Sequence, residues 1–512
     1  MRYPYHPLVW HSVWLRRSIY LGLLATFAAS LLTPVSHAQL AGYPAPRDPD
    51  YKKALTATVE DLMPIARLMA KKPSRRMALS PGYGIKPGEN VLIVVSTRFD
   101  ARVLEAIRRA IVEAGAKVDI VRTHAVEPKA QSANAGQEEL QFQGEGGAAP
   151  QSRLSGARGT RALFEANISV GGSGYDLVIE GAGGPNPKAD YRWEYIPWDT
   201  IDKFMYSMAA FPYEVQESMD KQMWKTITTA RKIHATDPEG TDITWSWDPK
   251  FEGMLRENWP GYEILKQGHI SPMPLFMSPE EANANGKIAG TINHAGTFPH
   301  MTLTIQKNEI TKIEGGGEFG KRWDEVLQDC KKVGIKYPGF PAVGCGWFEE
   351  AAIGTDPWRT RDLPAEIRNR YVWERGRSGV IHWGLGVSQN FEYHPAIQEW
   401  YRQNASKVKR GGGHNHIHTY LTTMDITDAA GKVTRVIDKG HLTFLDDPEV
   451  RRIAAKFGNP DELLTERWIP PYPGINLPGN YMNDYARDPY AFIHPLQEAK
   501  RKLSGWNPEE GN

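Results

Sequence analysis

The chain has 512 residues, 61 Lys+Arg against 60 Asp+Glu, and 41% hydrophobic residues. At about 150 residues per domain that is enough for two or three domains, and the apolar content excludes wholesale disorder. A net charge of +1 and the lack of basic runs interleaved with aromatics exclude nucleic acid as the main partner.

The 48 Gly and 37 Pro predict a loop-rich protein, not a helical bundle. The N-terminus reads as an address. Arg16 and Arg17 precede an apolar run from Ile19 to Leu32, and Ser36-His37-Ala38 has the small-x-small form of a cleavage site. Residues 1–38 are therefore expected to be a secretory signal peptide, and the protein periplasmic or secreted. Arg16-Arg17-Ser18-Ile19-Tyr20-Leu21 also has the form of a twin-arginine signal. The run is short for a membrane span, so no stable membrane insertion is expected after cleavage; an uncleaved anchor is the alternative.

After a polar leader, Ala54 to Met69 carries apolar residues at helical spacing. Val91 to Val95 is a buried-strand run. Asp100 to Ala114 reads as an amphipathic helix with Val103, Leu104, Ile107 and Ile111 on one face. Gly115 stops it, and Lys117 to Val121 is the next strand. Strand, helix, glycine stop and strand make a βαβ unit with a parallel pair. Residues 126–160 are rich in Gln, Gly, Ala, Glu and Ser and read as a flexible insertion. Asp176 to Glu180 resumes the α/β pattern, and 196–232 reads as helical.

The character changes after His234. Thr241–Trp247, Lys287–Ile292 and Met301–Ile305 alternate like half-buried strands. The expected fold is an α/β N-terminal domain with a parallel sheet over 39–234, then a β-rich α+β domain over 235–447 that carries a metal site. A Pro- and Tyr-rich extension, 448–512, wraps the surface or contacts another subunit. Cys330 and Cys345 are too few for a disulfide framework. They read as two buried free thiols, with a single bridge as the alternative in an oxidising compartment.

Chemistry concentrates in the histidines. His382 sits among glycines in Gly379-Val-Ile-His-Trp-Gly-Leu-Gly386, and Gly411-Gly-Gly-His-Asn-His-Ile-His-Thr419 places His414, His416 and His418 at spacing two. In a strand that spacing puts all three on one face. Two imidazoles there and His382 from a second strand can meet one ion, leaving its far side open for substrate. The competing reading is a hydrogen-bonded histidine strand. Glu349-Glu350 can reach such a site or form a solvated pair. His294 and His300, around Gly296 and Pro299, are weaker candidates, and Asp237-Pro-Glu-Gly-Thr-Asp242 reads as a carboxylate-rich, strand-initiating turn. Trp245, Trp247 and Trp383 read as core.

Several motifs follow one another in a familiar order. They are Asp237 to Thr244, the Asn285-Gly286 turn, Ile313-Glu-Gly-Gly316, Glu350 with Gly354-Thr355, His382 with its Gly-Leu-Gly tail, and His416-Ile-His418. In these, over roughly residues 55–447, the sequence resembles the superfamily of the M29 aminopeptidases (aminopeptidase T type) and the iron-dependent 2,5-dihydroxypyridine 5,6-dioxygenases. The resemblance implies a homo-oligomer with a metal site in the C-terminal domain. Against the two-metal peptidase pattern, Glu350, His382 and His416 match. Pro274-Leu275, Gln389 and His418 stand where a glutamate, a tyrosine and an aspartate are expected. Against the dioxygenase pattern of two histidines and an aspartate, His382 and His416 match and His418 replaces the aspartate. Gly181 to Pro185 stand where that branch has an acid–base histidine.

The reading that results is an exported mononuclear non-haem iron dioxygenase cleaving a hydroxylated aromatic or heteroaromatic ring. Fe(II) is expected on His382, His416 and His418, with Glu350 or His414 as acid–base or orienting groups. The partner is a small-molecule substrate. The alternatives are an M29-type hydrolase with one Zn or Co and Glu350 as base, and an exported metal-binding protein without turnover.

Overall fold

The computed structural model describes residues 42–74, 82–123, 174–180, 190–247, 269–273, 282–337, 340–361, 370–387, 403–404 and 414–504. The expected signal segment, the 126–160 insertion, Pro274-Leu275, Gln389 and Gly181 to Pro185 lie outside the described residues.

The N-terminal part is built as the periodicity predicts. Strands β1 (Asn90–Ser96), β2 (Lys117–Thr123), β3 (Leu177–Glu180) and β4 (Arg192–Tyr195) form a parallel sheet in the order β2-β1-β3-β4. The helical run near 54–69 divides into α1 (Tyr51–Leu55) and α2 (Val59–Lys71). Thr58 causes the break: its hydroxyl accepts from the Asp61 N–H while the Asp61 carboxylate accepts from the Thr58 N–H, a reciprocal cap that starts a helix. Helix α3 (Ala101–Glu113) begins on the Asp100 side-chain cap. It buries Val103, Leu104, Ile107 and Ile111 and ends at Gly115, whose φ of 88° suits a residue without a side chain.

The span 196–232 is only partly helical. It holds α4 (Ile201–Met205) and α5 (Tyr213–Ile227), and Ala230 already opens a strand. The reason is a change in burial pattern: Arg231 and Lys232 are both exposed, and from Ile233 the burial alternates, with Ile233 and Ala235 buried and His234 and Thr236 half-buried. This strand, β5 (Ala230–Thr236), pairs on both sides with later strands.

Those strands are β6 (Asp242–Ser246), β7 (His269–Met273), β8 (Asn285–Ile292), β9 (Thr297–Gln306) and β10 (Glu309–Gly315). They continue as β11 (Trp347–Gly354), β12 (Ile381–Gly386), β13 (His414–Thr419), β14 (Thr423–Asp428), β15 (Val433–Asp438) and β16 (His441–Leu442). With β5 they make one twelve-stranded antiparallel sheet. Its path runs β13-β12-β11-β10-β9-β8-β6-β5-β14-β15-β16, and β7 attaches to β11. Gly290 of β8 lies against Ile417 and the His418 carbonyl of β13, leaving no room for a Cβ. Four strands separate β8 from β13 along the path, so the sheet curls back on itself. Trp245, Phe348, Trp383 and Ile417 fill the interior, with the Trp383 indole N–H on the Thr419 hydroxyl.

Helix α6 (Gly317–Val333) covers one face of this core with Phe319, Trp323 and Leu327. Near its end Cys330 is bonded to Cys345, which overturns the reading of two free thiols. The two Cα atoms are 6.0 Å apart, within the range that a disulfide spans. The C-terminal extension packs on its own chain. After α7 (Pro448–Ala454), Trp468 and Tyr472 lie on Tyr420, Tyr485 packs on Tyr472, and Arg47 bridges to Ile469.

Candidate metal centre

The site is set by strand register. Across β11, β12 and β13, Glu350 lies opposite Gly384, which lies opposite His416. One step along, Ala352 lies opposite His382, which lies opposite His418. Directly opposite residues of an antiparallel sheet share a face, so these side chains project to the same side. Two of the six, Gly384 and Ala352, are small, and that gives the long ones space to converge. A Cβ on Gly384 would come within 2.7 Å of the Glu350 Cβ and collide with the His414 ring.

Strand β11 adds an irregularity. Its register with β12 slips between Phe348 and Glu350, where two residues on β11 face one on β12. Such a bulge re-aims side chains. Here consecutive glutamates, which would alternate faces in a regular strand, both reach His414. Its Nδ1 donates to Glu349, and its Nε2 donates to Glu350 Oε2 at 2.9 Å.

Glu350, His382, His414 and His416 are all buried, and their candidate ligand atoms lie within 4.8 Å of one another. Glu350 Oε2 is also 3.5 Å from His382 Nε2. Of the residues singled out from sequence, the structure brings these four together. His418 is not part of that set. Its ring is 5.7 Å from that of His382, on the side away from Glu350 in the register. The solvated-pair reading of Glu349-Glu350 is excluded, since both are buried.

His294 gave only a weak sequence signal, yet its ring stacks on His416 at 3.5 Å and lies 4.7 Å from His382 and 5.1 Å from His418. It comes from the turn after β8, where Asn293 Oδ1 accepts from the Ala295 and Gly296 N–H groups. The curl of the sheet carries that turn over β13. Arg375 Nη1 donates to His294 Nε2 at 3.1 Å; no motif singled out this arginine. The carboxylate-rich turn is more than a strand start. Asp237 and Glu239 are buried and bind Thr422 and the tail's Tyr481. Burial, then the charge of Asp237, pushes Glu239 up to about 8.

The electrostatics divide the histidines by role. Burial works against a charged His414, but the charge of Glu349 and the bonds to both glutamates prevail and raise it to about 10. It is an imidazolium clamped between two carboxylates. His416 and His418 are held well below the usual histidine range, first by burial. His294 then adds to the effect at His416, and Arg375 at His418. Both are neutral, the state that ligation requires. The Tyr420 hydroxyl donates to Glu374, so at 3.5 Å it accepts from His418 Nδ1–H. The His418 lone pair is then on Nε2, which is buried without a hydrogen-bond partner among the described residues. Neutral imidazoles beside a carboxylate fit a divalent transition-metal ion. Two histidines and one carboxylate are the donors of both the non-haem iron facial triad and the His₂Glu zinc site.

No family profile and no curated protein matches the chain. Among solved structures it is similar to 2,5-dihydroxypyridine dioxygenase from Pseudomonas putida KT2440, at 15% identity and a TM-score of 0.40, over 77% of this chain and 99% of that one. It is also similar to wild-type AmpT from Thermus thermophilus, at 11% identity and a TM-score of 0.35, over 75% of this chain and 100% of that one.

Proposed function

We propose that the chain is a mononuclear non-haem iron dioxygenase that opens the ring of a hydroxylated aromatic or heteroaromatic compound, with the ion on His382, His416 and Glu350. The observation that carries this is the convergence of those three side chains, from three adjacent strands, within 4.8 Å. Two histidines and one carboxylate are the donor set typical of oxygen-activating iron. When bound, Fe(II) supplies a centre for O₂ and for a chelating substrate.

The protein's own groups divide the remaining work. His414 fixes the Glu350 carboxylate through Nε2 while Glu349 holds its Nδ1, as partners of metal ligands commonly do. His418, neutral and with its lone pair on Nε2, accepts a hydrogen bond from a substrate hydroxyl and orients it. This exchanges the two roles expected from sequence, where His418 was the third ligand and Glu350 an acid–base or orienting group.

A second reading is a hydrolase with one Zn or Co, and the same His₂Glu donor set favours it. The test is elemental analysis of protein purified without oxygen, followed by oxygen uptake with catechols, hydroxypyridines and gentisate-like acids. About one iron per chain with uptake supports the dioxygenase. Zinc or cobalt, with peptide hydrolysis that persists under anaerobiosis, overturns it.

Export to an oxidising compartment belongs to the same proposal. The N-terminal segment and the Cys330–Cys345 bridge support it. A division into two domains at about residue 235 and a homo-oligomer are proposed as well. Limited proteolysis and light scattering in solution test these two.

A further inference from the structure

Asp237 and Glu239 stand on one turn, buried and outside the metal cluster. Asp237 is held by strands and turns around it: it accepts from the Glu239 and Leu421 N–H groups and from the Thr422 hydroxyl, at 2.9, 3.2 and 2.9 Å. Glu239 faces the C-terminal extension. Its Oε1 accepts from the Tyr481 hydroxyl at 2.6 Å and from the Thr291 hydroxyl at 3.0 Å. A hydroxyl has one proton to give. Thr291 gives its own to Glu239, so at 3.0 Å it accepts from the Tyr485 hydroxyl. Two tyrosines of the turn Tyr481–Ala486 therefore hang, directly or through Thr291, on one carboxyl.

That turn ends a length of chain, 468–486, which lies over the wall behind the metal cluster. Trp468 and Tyr472 pack on Tyr420, and Tyr485 packs on Tyr472. Tyr420 bonds to Glu374 and His418.

Among the described residues no cation pairs with the Glu239 carboxyl. The charged and titratable groups that face it are Asp237 on its own turn, Tyr472, Tyr481 and Tyr485 of the extension, Arg361 after β11, and His300 of β9. Arg361 is gripped by Glu374 through both arms. His300 Nε2 donates to the main-chain carbonyl of Glu239 at 2.7 Å, not to its side chain. Burial, then the like charge of Asp237, keeps Glu239 protonated up to about 8.

We propose that residues 468–486 form a strap latched by the neutral Glu239 carboxyl, and that loss of the carboxyl proton releases it and uncovers Tyr420. The sign follows from linkage. In water the carboxyl ionises near its ordinary value of about 4.3, whereas under the strap it stays protonated. Closure is therefore most stable at low pH, weakens as pH rises from about 4.3 to about 8, and is constant above, with the open fraction growing by up to about tenfold per pH unit inside that window. The inference does not depend on which ion the site holds.

The chain's two cysteines are bonded to each other, so Ala486→Cys places a single thiol at a buried position of the strap. Its alkylation by iodoacetamide, at rates proportional to reagent, reads the open fraction. Dividing by the rate for the same protein unfolded in urea at the same pH removes the ionisation of the thiol. The full chain carrying Ala486→Cys is compared with the same chain carrying Glu239→Gln or Tyr481→Phe as well. From pH 6 to 8 the corrected rate is expected to rise about 10- to 100-fold more with Glu239 than with Glu239→Gln, which keeps the shape of the side chain and has no proton to lose. The difference between the two chains also removes any share of His441, which pairs with Glu466 just before the strap. Tyr481→Phe removes one neutral hydrogen bond and is expected to raise the rate at pH 6 by about 2- to 10-fold.

The same pH dependence in both Glu239 and Glu239→Gln chains overturns the proposal, as does an unchanged rate in Tyr481→Phe. So does a labelling free energy equal to that of global unfolding in urea, since the strap would then not open by itself.

Discussion

The choice of third ligand is open to a direct measurement. Glu350 Oε2 lies 3.5 Å from His382 Nε2 and 2.9 Å from His414 Nε2, inside the cluster of candidate ligand atoms. His418 lies beside His382 in register but outside that cluster. A four-ligand structural zinc site binds with about 10–16 kcal/mol, or about 3 kcal/mol per ligand. Losing one ligand therefore weakens binding by about 100-fold, whereas losing an outer partner costs about 10- to 100-fold. Glu350→Gln keeps the shape of the side chain, but its amide oxygen is a weaker, uncharged donor. Expected is a rise of at least about 100-fold in the metal Kd for Glu350→Gln; His418, whose ring bonds to Tyr420 and not to one of the three ligands, should fall below the outer-partner range, at less than about 10-fold for His418→Gln. The assay is competition with a calibrated chelator, with metal per chain counted by elemental analysis and circular dichroism confirming the fold. A His418→Gln protein that loses its ion while Glu350→Gln retains it would refute the assignment. The ion would then belong to the three-histidine arrangement.

Other expectations follow from packing, the disulfide and ionisation. Gly384→Ala places a methyl group between Glu350 and His414. It should cost about 1–3 kcal/mol of stability by overpacking and lower metal content, both measurable by urea unfolding and elemental analysis. Reducing the Cys330–Cys345 bridge, or replacing both residues by Ser, reopens a loop with a sequence separation of 15. It should lower unfolding free energy by about 3 kcal/mol; an unchanged urea midpoint would contradict this. His441 is raised to about 9, first by its bond to Glu466, against burial, with further help from the Glu466 charge and from Asp446. A histidine raised on folding stabilises fully below its unfolded value of about 6.5 and loses that contribution as pH rises through 9. The gap in melting temperature between the native chain and His441→Gln should therefore close between pH 6.5 and 9, and a constant gap would count against the ion pair.

Local pattern alone carries much of this protein. The β1–α3–β2 unit is legible because Val103, Leu104, Ile107 and Ile111 repeat at helical spacing between two apolar strand runs and a glycine stop. Period-two spacing correctly places His414, His416 and His418 on one strand. Where the pattern changes within a few residues, as at Ala230, helical spacing overreaches into the strand, because the strand partners of β5 lie up to 198 residues away, as Asp428 does from Ala230, and leave no local mark.

The site divides along the same line. His382 and His416 are visible as residue types at metal-ligand spacing. That Glu350 joins them depends on the register of β11 with β12, on the bulge that turns Glu349 and Glu350 to one side, and on the space left by Gly384. His294 and Arg375 arrive from a turn after β8 and a turn before β12, brought in by the curl of the sheet against Gly290. Sequence determined which side chains are available and how each strand faces. The choice of which of them meet was left to pairing between distant strands, since cross-strand contacts depend on register and closure, and neither is encoded in any short stretch of the chain.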